Sequence, residues 1–158
     1  MIVNGIGYDC HRFEEDRRLV LGGIELEDAR GLEGHSDADV LTHAIIDALL
    51  GAAARGDIGQ HFPDTDERYR DSNSLDLLRE TVELLAQHGC SVVHVDATVL
   101  IERPKLAAAR DSIRRSLART MELDTERVSV KATRGEGLGF VGREEGAAAI
   151  AVATLERS

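Results

Sequence analysis

The 158-residue chain has no tryptophan, and aromatic side chains make up only 3% of it. It therefore lacks the stacking platforms on which single-stranded nucleic acid is held. There are two cysteines, Cys10 and Cys90, in strand-like sequence without CxxC spacing. That pattern points to reduced cytosolic thiols and away from a disulfide framework or a thiolate zinc site. Cations are also short: 19 Lys and Arg against 29 Asp and Glu leave a net charge of −10, with a pI near 5.0. Such a surface repels nucleic acid backbones and anionic membranes, so an anionic substrate needs local cations. No segment reaches the ~18 consecutive apolar residues of a membrane span, and the opening MIVNGIGYDCHRF meets charge too soon for a signal peptide. No nucleic acid partner, no membrane and a cytoplasmic location are expected. Repeats, low-complexity runs and linkers are missing too.

What is present is an ordinary folded composition, 42% hydrophobic and 30% charged, unlike that of disordered or fibrous chains. The length suits one domain, residues 1–158, by the prior of ~100–200 residues per domain. A chain of this size buries roughly 68–70% of its unfolded surface and needs no structural metal to fold, so metal ligands invite a functional reading.

Ile2 to Phe13 alternates as a strand, with Ile2, Ile6, Tyr8 and Cys10 on one face and Val3, Asp9, His11 and Phe13 on the other. Arg18 to Ile24 reads as a short strand or hairpin turning at Gly22-Gly23. Ser36-x-x-Asp39 has the form of a capping box ahead of Val40, Leu41, Ala44, Ile45, Ala48, Leu49 and Ala52 at helical spacing. Gly56 to Arg70 reads as a long polar loop, of a length usually functional or mobile. A second helix runs from about Ser72 to His88 and stops at Gly89. Ser91 to Ile101 alternates as a half-buried strand, with Val93 to Ile101 at odd positions on one face. Pro104 suits a first helical turn and opens a third helix of about Lys105 to Glu122. Val128 to Thr133 and Gly146 to Leu155 are the last two strands.

Three helices and four or more strands that do not alternate strictly predict an α+β fold, a mixed sheet with the helices packed on one face. The other face would show His94, Asp96, Thr98, Ser129, Lys131 and several alanines. That mixture is too polar for a second helix layer and reads as an oligomer interface.

Asp9 and His11, two apart on a strand, leave the same face with about 6.5–7 Å between their backbone positions. With His43 from the first helix they would make a His₂-carboxylate set with an open fourth position. The alternative is a local Asp9–His11 hydrogen bond with His43 on the solvent side of its helix. His35, Asp39 and His43 are spaced by four and line one stripe if the helix begins early; otherwise Asp39 is simply a cap. His35 would face the positive end of the helix dipole, where a phosphate binds. Lys131 to Arg143 packs four glycines, three cations and Glu136 into thirteen residues. This is either a phosphate cradle with Glu136 on a Mg²⁺ or Mn²⁺ ion, or a hairpin with a glycine-rich turn. Asp57, Asp64 and Asp66 bind hydroxyls, stay solvated or end turns, while His61, His88 and His94 read as structural or surface residues.

The segments GIGYDCHRF, HSDADVLTHA, GDIGQHFPDTD, ERPK and VKAT followed by ExLGFVGREEG, in that order and nearly end to end, make the chain resemble the 2-C-methyl-D-erythritol 2,4-cyclodiphosphate synthase family. The resemblance implies a phosphorus–oxygen lyase of non-mevalonate isoprenoid biosynthesis. Its substrate would be 4-diphosphocytidyl-2-C-methyl-D-erythritol 2-phosphate, cyclised by attack of the 2-phosphate on the β-phosphorus with release of CMP. It further implies Asp9, His11 and His43 as Zn²⁺ ligands and Glu136 as the contact to a second divalent cation, Mg²⁺ or Mn²⁺. His35 and Ser36 would hold phosphate, with His35 catalytic. Asp57, Ile58 and Gly59 would hold methylerythritol hydroxyls beside a flap of Phe62, Pro63, Asp64, Thr65 and Asp66. The cytidine pocket would comprise Ile101, Glu102, Arg103, Pro104, Lys105 and Leu106, with Ala132 and Thr133, supplied by a neighbouring subunit of a homotrimer whose sheets face the threefold axis. Phe140, Arg143 and Glu145 would lie near that axis, where an isoprenoid diphosphate is a possible ligand. The chain departs from the family pattern at one place: Arg134 stands where a threonine is usual, so a guanidinium takes the catalytic position. Two other readings remain, a metal-dependent nucleotide phosphodiester hydrolase and a non-catalytic isoprenoid-diphosphate-binding trimer.

Overall fold

A computed structural model describes residues 1–27 and 29–158. Strand β1 (Ile2–Glu14) is followed by a hairpin, β2 (Leu19–Leu21) and β3 (Ile24–Leu26), and by the short β4 (Gly31–Leu32). Helix α1 (Val40–Ala52), the short α2 (Ile58–His61) and α3 (Ser74–Gln87) come next, then β5 (Cys90–Leu100), α4 (Arg110–Thr120), β6 (Val128–Thr133), the short α5 (Gly139–Gly142) and β7 (Gly146–Arg157). The main sheet has the order β4-β1-β7-β5-β6 and is mixed, because β5 and β6 run parallel while the other pairs are antiparallel. Its architecture is the expected α+β one, with α1, α3 and α4 against the sheet.

Helix α1 is apolar almost all round and correspondingly buried, with Val40, Leu41, Ile45, Ile46, Leu49 and Leu50 all removed from solvent. It lies directly on the sheet backbone. A Cβ built on Gly7 would collide with the Ala44 carbonyl, and one on Gly5 would come within 2.9 Å of Ala52 Cα. Ala147, Ala149, Ala151 and Ala153 of β7 face the same helix and are fully buried. The alanines expected on the open face therefore mostly lie beneath α1, because only small side chains let the helix approach this closely. The open face instead carries Ile6, Tyr8, Ile150 and Val152, all exposed, in register with Asp96, Thr98, Ser129 and Lys131. It is more apolar than the sequence pattern predicts.

Several boundaries differ for local reasons. Asp39, not Ser36, caps α1: its side chain accepts from Thr42 N, and Ala38 at φ +53° keeps the helix from starting earlier. The long loop before Arg70 holds α2 and a 3₁₀ turn at Glu67–Tyr69. Helix α3 ends as predicted, at Gly89 with φ +70°. Pro104 does not open a helix; it follows a cis peptide bond in a turn, and α4 starts at Arg110. A register shift between Val92 and His94 breaks the alternation, so Val92 rather than Val93 pairs with buried Leu155. Strands β6 and β7 are separated by β5, so the glycine-rich segment is a crossover and not a hairpin turn. Cys10 and Cys90 are both free thiols.

Candidate active site

The odd face of β1 delivers Asp9 and His11 beneath the first turn of α1, which carries His43. Donor atoms of these three residues all lie within 4.8 Å of one another. His11 Nε2 is 2.7 Å from Asp9 Oδ2, and His43 Nδ1 is 3.3 Å from the same oxygen. Both readings of Asp9 and His11 hold, since the pair is hydrogen-bonded and part of a ligand set. His43 points into the cluster and not to solvent.

The opposite ring nitrogens are fixed from behind. His11 Nδ1–H donates to the Glu33 carbonyl at 2.7 Å, leaving Nε2 toward the cluster. His43 Nε2 is 3.2 Å from Ser36 Oγ, leaving Nδ1 free to ligate. Imidazoles held this way, with a carboxylate beside them, fit a divalent metal ion. Burial pushes the Asp9 carboxyl up, but hydrogen bonds from His11 and His43 outweigh it and hold the carboxyl below its ordinary value. Burial likewise pushes His11 down, and the hydrogen bond and charge of Asp9 together raise it overall.

A cleft of about 400 Å³ opens over this cluster, lined by His35, Ser36, Ile58, Gly59, Phe62, Pro63 and Asp64 among others. The sequence also missed Tyr69, which packs edge-on against Phe62 at 5.3 Å. Asp57 does not line the cleft; it caps α2 by accepting from Gln60 N at 3.0 Å. Thr65 is exposed, and Asp66 is turned to Arg68 at 2.7 Å. Arg17 was missed as well. It donates to the carbonyls of Gly34 and Ser36 at 2.7 and 2.8 Å and pins the loop that carries His35. No sequence pattern announces a contact to a backbone carbonyl. Asp39 leaves the predicted stripe, facing the Gly22-Gly23 turn and Ser74 instead of His35 and His43.

A second cleft, about 180 Å³, lies where β5 and β6 end side by side. Ile101, Glu102, Pro104, Lys105, Leu106, Ala132, Thr133 and Arg134 line it. Arg103 belongs to the adjoining cleft with Arg134. Cys10, Leu100 and Thr133 share one row of the sheet with Ala148, which places the β6 end three strand spacings, about 14 Å, from β1. Glu136 is exposed beyond β6, lines neither cleft and is not brought to the Asp9–His11–His43 cluster. Phe140 lines another cleft with Cys10, His11 and Arg12, and Arg143 is held by Glu145 at 2.9 Å.

The YgbB family model matches residues 2–156. The chain belongs to the YgbB family. It is 56% identical over 154 residues to the 2-C-methyl-D-erythritol 2,4-cyclodiphosphate synthase of Syntrophomonas wolfei, covering 98% of both chains. It is likewise 56% identical over 152 residues to the synthase of Salinibacter ruber, covering 96% of this chain and 97% of that protein. Among solved structures, the bifunctional IspDF of Campylobacter jejuni superimposes with a TM-score of 0.96 at 40% identity; the match spans this whole chain and 43% of that one. A 2C-methyl-D-erythritol-2,4-cyclodiphosphate synthase in a CDP-bound form matches with a TM-score of 0.89 at 38% identity, over 97% and 99% of the two chains. This YgbB-family chain is thus an enzyme by its relatives, named as cyclodiphosphate synthases. No helix among its described residues is long and apolar enough to cross a membrane.

Proposed function

We propose that this protein, acting as one domain over residues 1–158, is a cytoplasmic enzyme that converts 4-diphosphocytidyl-2-C-methyl-D-erythritol 2-phosphate to 2-C-methyl-D-erythritol 2,4-cyclodiphosphate and CMP. The observation that carries the reading is the convergence of Asp9, His11 and His43 at the floor of the cleft beneath Phe62 and Pro63. The 2-phosphate oxygen bonds to the β-phosphorus while the bond from that phosphorus to the bridging oxygen breaks, and CMP carries the electron pair away. Because nucleophile and electrophile belong to one molecule, the protein supplies mainly orientation, which contributes up to roughly 7–11 kcal/mol in well-aligned intramolecular cases.

Asp9, His11 Nε2 and His43 Nδ1 would hold Zn²⁺, which when bound withdraws charge from a phosphate oxygen. His35 and Ser36 line the same cleft and hold phosphate, and Ile58 and Gly59, with Asp57 at the cap of α2, meet the methylerythritol hydroxyls. Residues 62–66 cover them as a flap. Residues 101–106 with Ala132 and Thr133 take the cytidine, and Lys105 and Arg134 supply local cations for an anionic substrate. Glu136 offers a single carboxylate, enough for a second divalent cation such as Mg²⁺ or Mn²⁺ only when substrate phosphates complete its shell.

Within one chain the two clefts border strands about 14 Å apart in the sheet. A homotrimer, with β6 of one copy beside β1 of the next, brings them together. It also covers Ile6, Tyr8, Ile150 and Val152 and leaves Phe140 and Arg143 near the axis for an isoprenoid diphosphate.

Phosphorus NMR of the purified protein with substrate, Zn²⁺ and Mg²⁺, with and without chelator, tests the reading. Chelator-sensitive CMP with a cyclic diphosphate is expected. A linear product would make the protein a hydrolase, and no turnover from a folded, metal-loaded trimer would make it a binding protein.

A further inference from the structure

Glu102 and Arg103 belong to the stretch assigned to cytidine, yet both turn their charged ends toward the crossover 134–145. Glu102 Oε2 accepts from Gly135 N at 2.8 Å. Arg103 Nε and Nη2 donate to the two carboxylate oxygens of Glu144 at 2.7 and 2.8 Å. Adjacent residues therefore grip the start and the end of the same segment.

Between the grips the segment is bonded mainly to itself. Leu138 N donates to the Gly135 carbonyl at 2.8 Å, Gly142 N to Leu138 at 3.0 Å and Arg143 N to Gly139 at 2.9 Å. Gly135 and Gly137 pack against Gly142 so closely that a Cβ on Gly142 would come within 2.7 Å of Gly137 Cα. Glu136 sits at the bend with φ +53°, ahead of Gly137 at +74°. A segment so tightly self-packed moves as one piece, and its placement on the sheet is set by what holds it from outside. At its far end the segment is also held by Phe13 N on the Glu145 carbonyl at 2.9 Å and Arg30 Nη2 on the Glu144 carbonyl at 3.2 Å, and Arg103 there is 77% exposed, where an ion pair holds little. The Glu102 bond is half-buried and charge-assisted.

We propose that Glu102 is a positioning residue, fixing the Arg134–Glu136 bend through Gly135 N while it lines the cleft assigned to the nucleotide. This rests on the cyclodiphosphate synthase reading, in which Arg134 and Glu136 meet the phosphates. One residue then serves both parts, so placing the nucleotide and placing the cationic and acidic groups at its phosphates are one event.

Hydrogen exchange and steady-state kinetics of the zinc-loaded protein test it together. E102A should speed exchange of the Gly135 amide and lower kcat by about tenfold or more, with KM changed less than about threefold because the lining of both clefts away from the bend stays in place. Zinc content and thermal midpoint confirm the fold. E102Q keeps an acceptor for Gly135 N and should recover most of both losses. Equal damage from E102Q and E102A would overturn the proposal in favour of a charge acting on substrate, and so would unchanged Gly135 exchange in E102A. An inactive wild type whose Gly135 amide is nevertheless protected through Glu102 would sink the functional reading and leave the grip standing.

Discussion

Ser74 Oγ donates a 2.8 Å hydrogen bond to Asp39 Oδ2, joining the first turn of α3 to the cap of α1, with both residues fully buried. The Asp39 carboxylate also accepts from Gly22 N, Gly23 N, Thr42 N and Thr42 Oγ1, at 2.8 to 3.0 Å. One carboxylate thus ties the β2–β3 hairpin, α1 and α3 at the point where α1 begins and His43 is presented.

Removing one donor should cost less than removing the acceptor. Ser74→Ala should lose about 1.5–3 kcal/mol, the range for a hydrogen bond to a charged group, and Asp39→Ala at least about 3 kcal/mol, because it orphans several buried donors. Urea unfolding at fixed protein concentration checks the order; equal losses would show that the donors find other partners.

The close seat of α1 makes a different demand. Gly7→Ala forces the helix off the sheet and should cost about 1–3 kcal/mol or more, with loss of zinc because His43 moves relative to Asp9 and His11. Gly51→Ala, in the same helix but with its nearest foreign atom, Ile6 O, at 3.8 Å, should stabilise by about 0.5–1 kcal/mol. Thermal unfolding with zinc analysis separates the two, and a Gly7→Ala protein that keeps its zinc would show that the seat does not set the ligand geometry.

Metal affinity should follow His11. Its proton must leave before Nε2 can ligate, and Asp9 raises that proton's pKa above the ordinary value near ~6.5. Affinity should therefore fall as pH drops through a midpoint above ~6.5, with one proton released per zinc bound below it. In the metal-free protein the sign is opposite. The His11–Asp9 pair stabilises fully below the unfolded value and loses its contribution as pH rises through the folded one. Calorimetry in buffers of differing ionisation heat reads the proton count, and a midpoint at or below ~6.5 would mean that Asp9 does not hold His11 in solution.

Arg134 is exposed and borders both the cleft proposed for the nucleotide and its larger neighbour. Arg134→Ala should lower kcat/KM by about 10- to 100-fold, and Arg134→Lys should recover only part, since it restores charge without the guanidinium fork. CMP release measured at several substrate concentrations decides, and wild-type kinetics in Arg134→Ala would leave the guanidinium idle.

Periodicity made β1, α1, α3 and β5 readable, because each alternates or repeats over many residues and meets a firm stop such as Gly89. Alanine defeated the facing of β7, since four alanines in alternation carry no contrast with their neighbours. Pro104 misled because a proline tolerated in a first helical turn is equally at home in the turn before one. Within the site, strand parity alone paired Asp9 with His11, whereas the reach of His43 depended on how closely α1 packs. Glu33 and Arg17 act through backbone carbonyls, which no residue pattern records. That the stretch 101–106 lines a cleft was legible from the family resemblance, but not the turn of Glu102 and Arg103 toward the crossover, which only the crossover's position explains.

The placement of Asp9 and His11 on β1 and of the proposed nucleotide cleft beside β6 separates two kinds of lesion that a genetic cross can tell apart. In the proposed trimer, a chain carrying Asp9→Ala and a chain carrying Lys105→Ala are each inactive alone. When they co-assemble, some junctions join the intact Asp9 of one chain to the intact Lys105 of its neighbour. Alleles from opposite edges should therefore complement one another, while two alleles from the same edge never should.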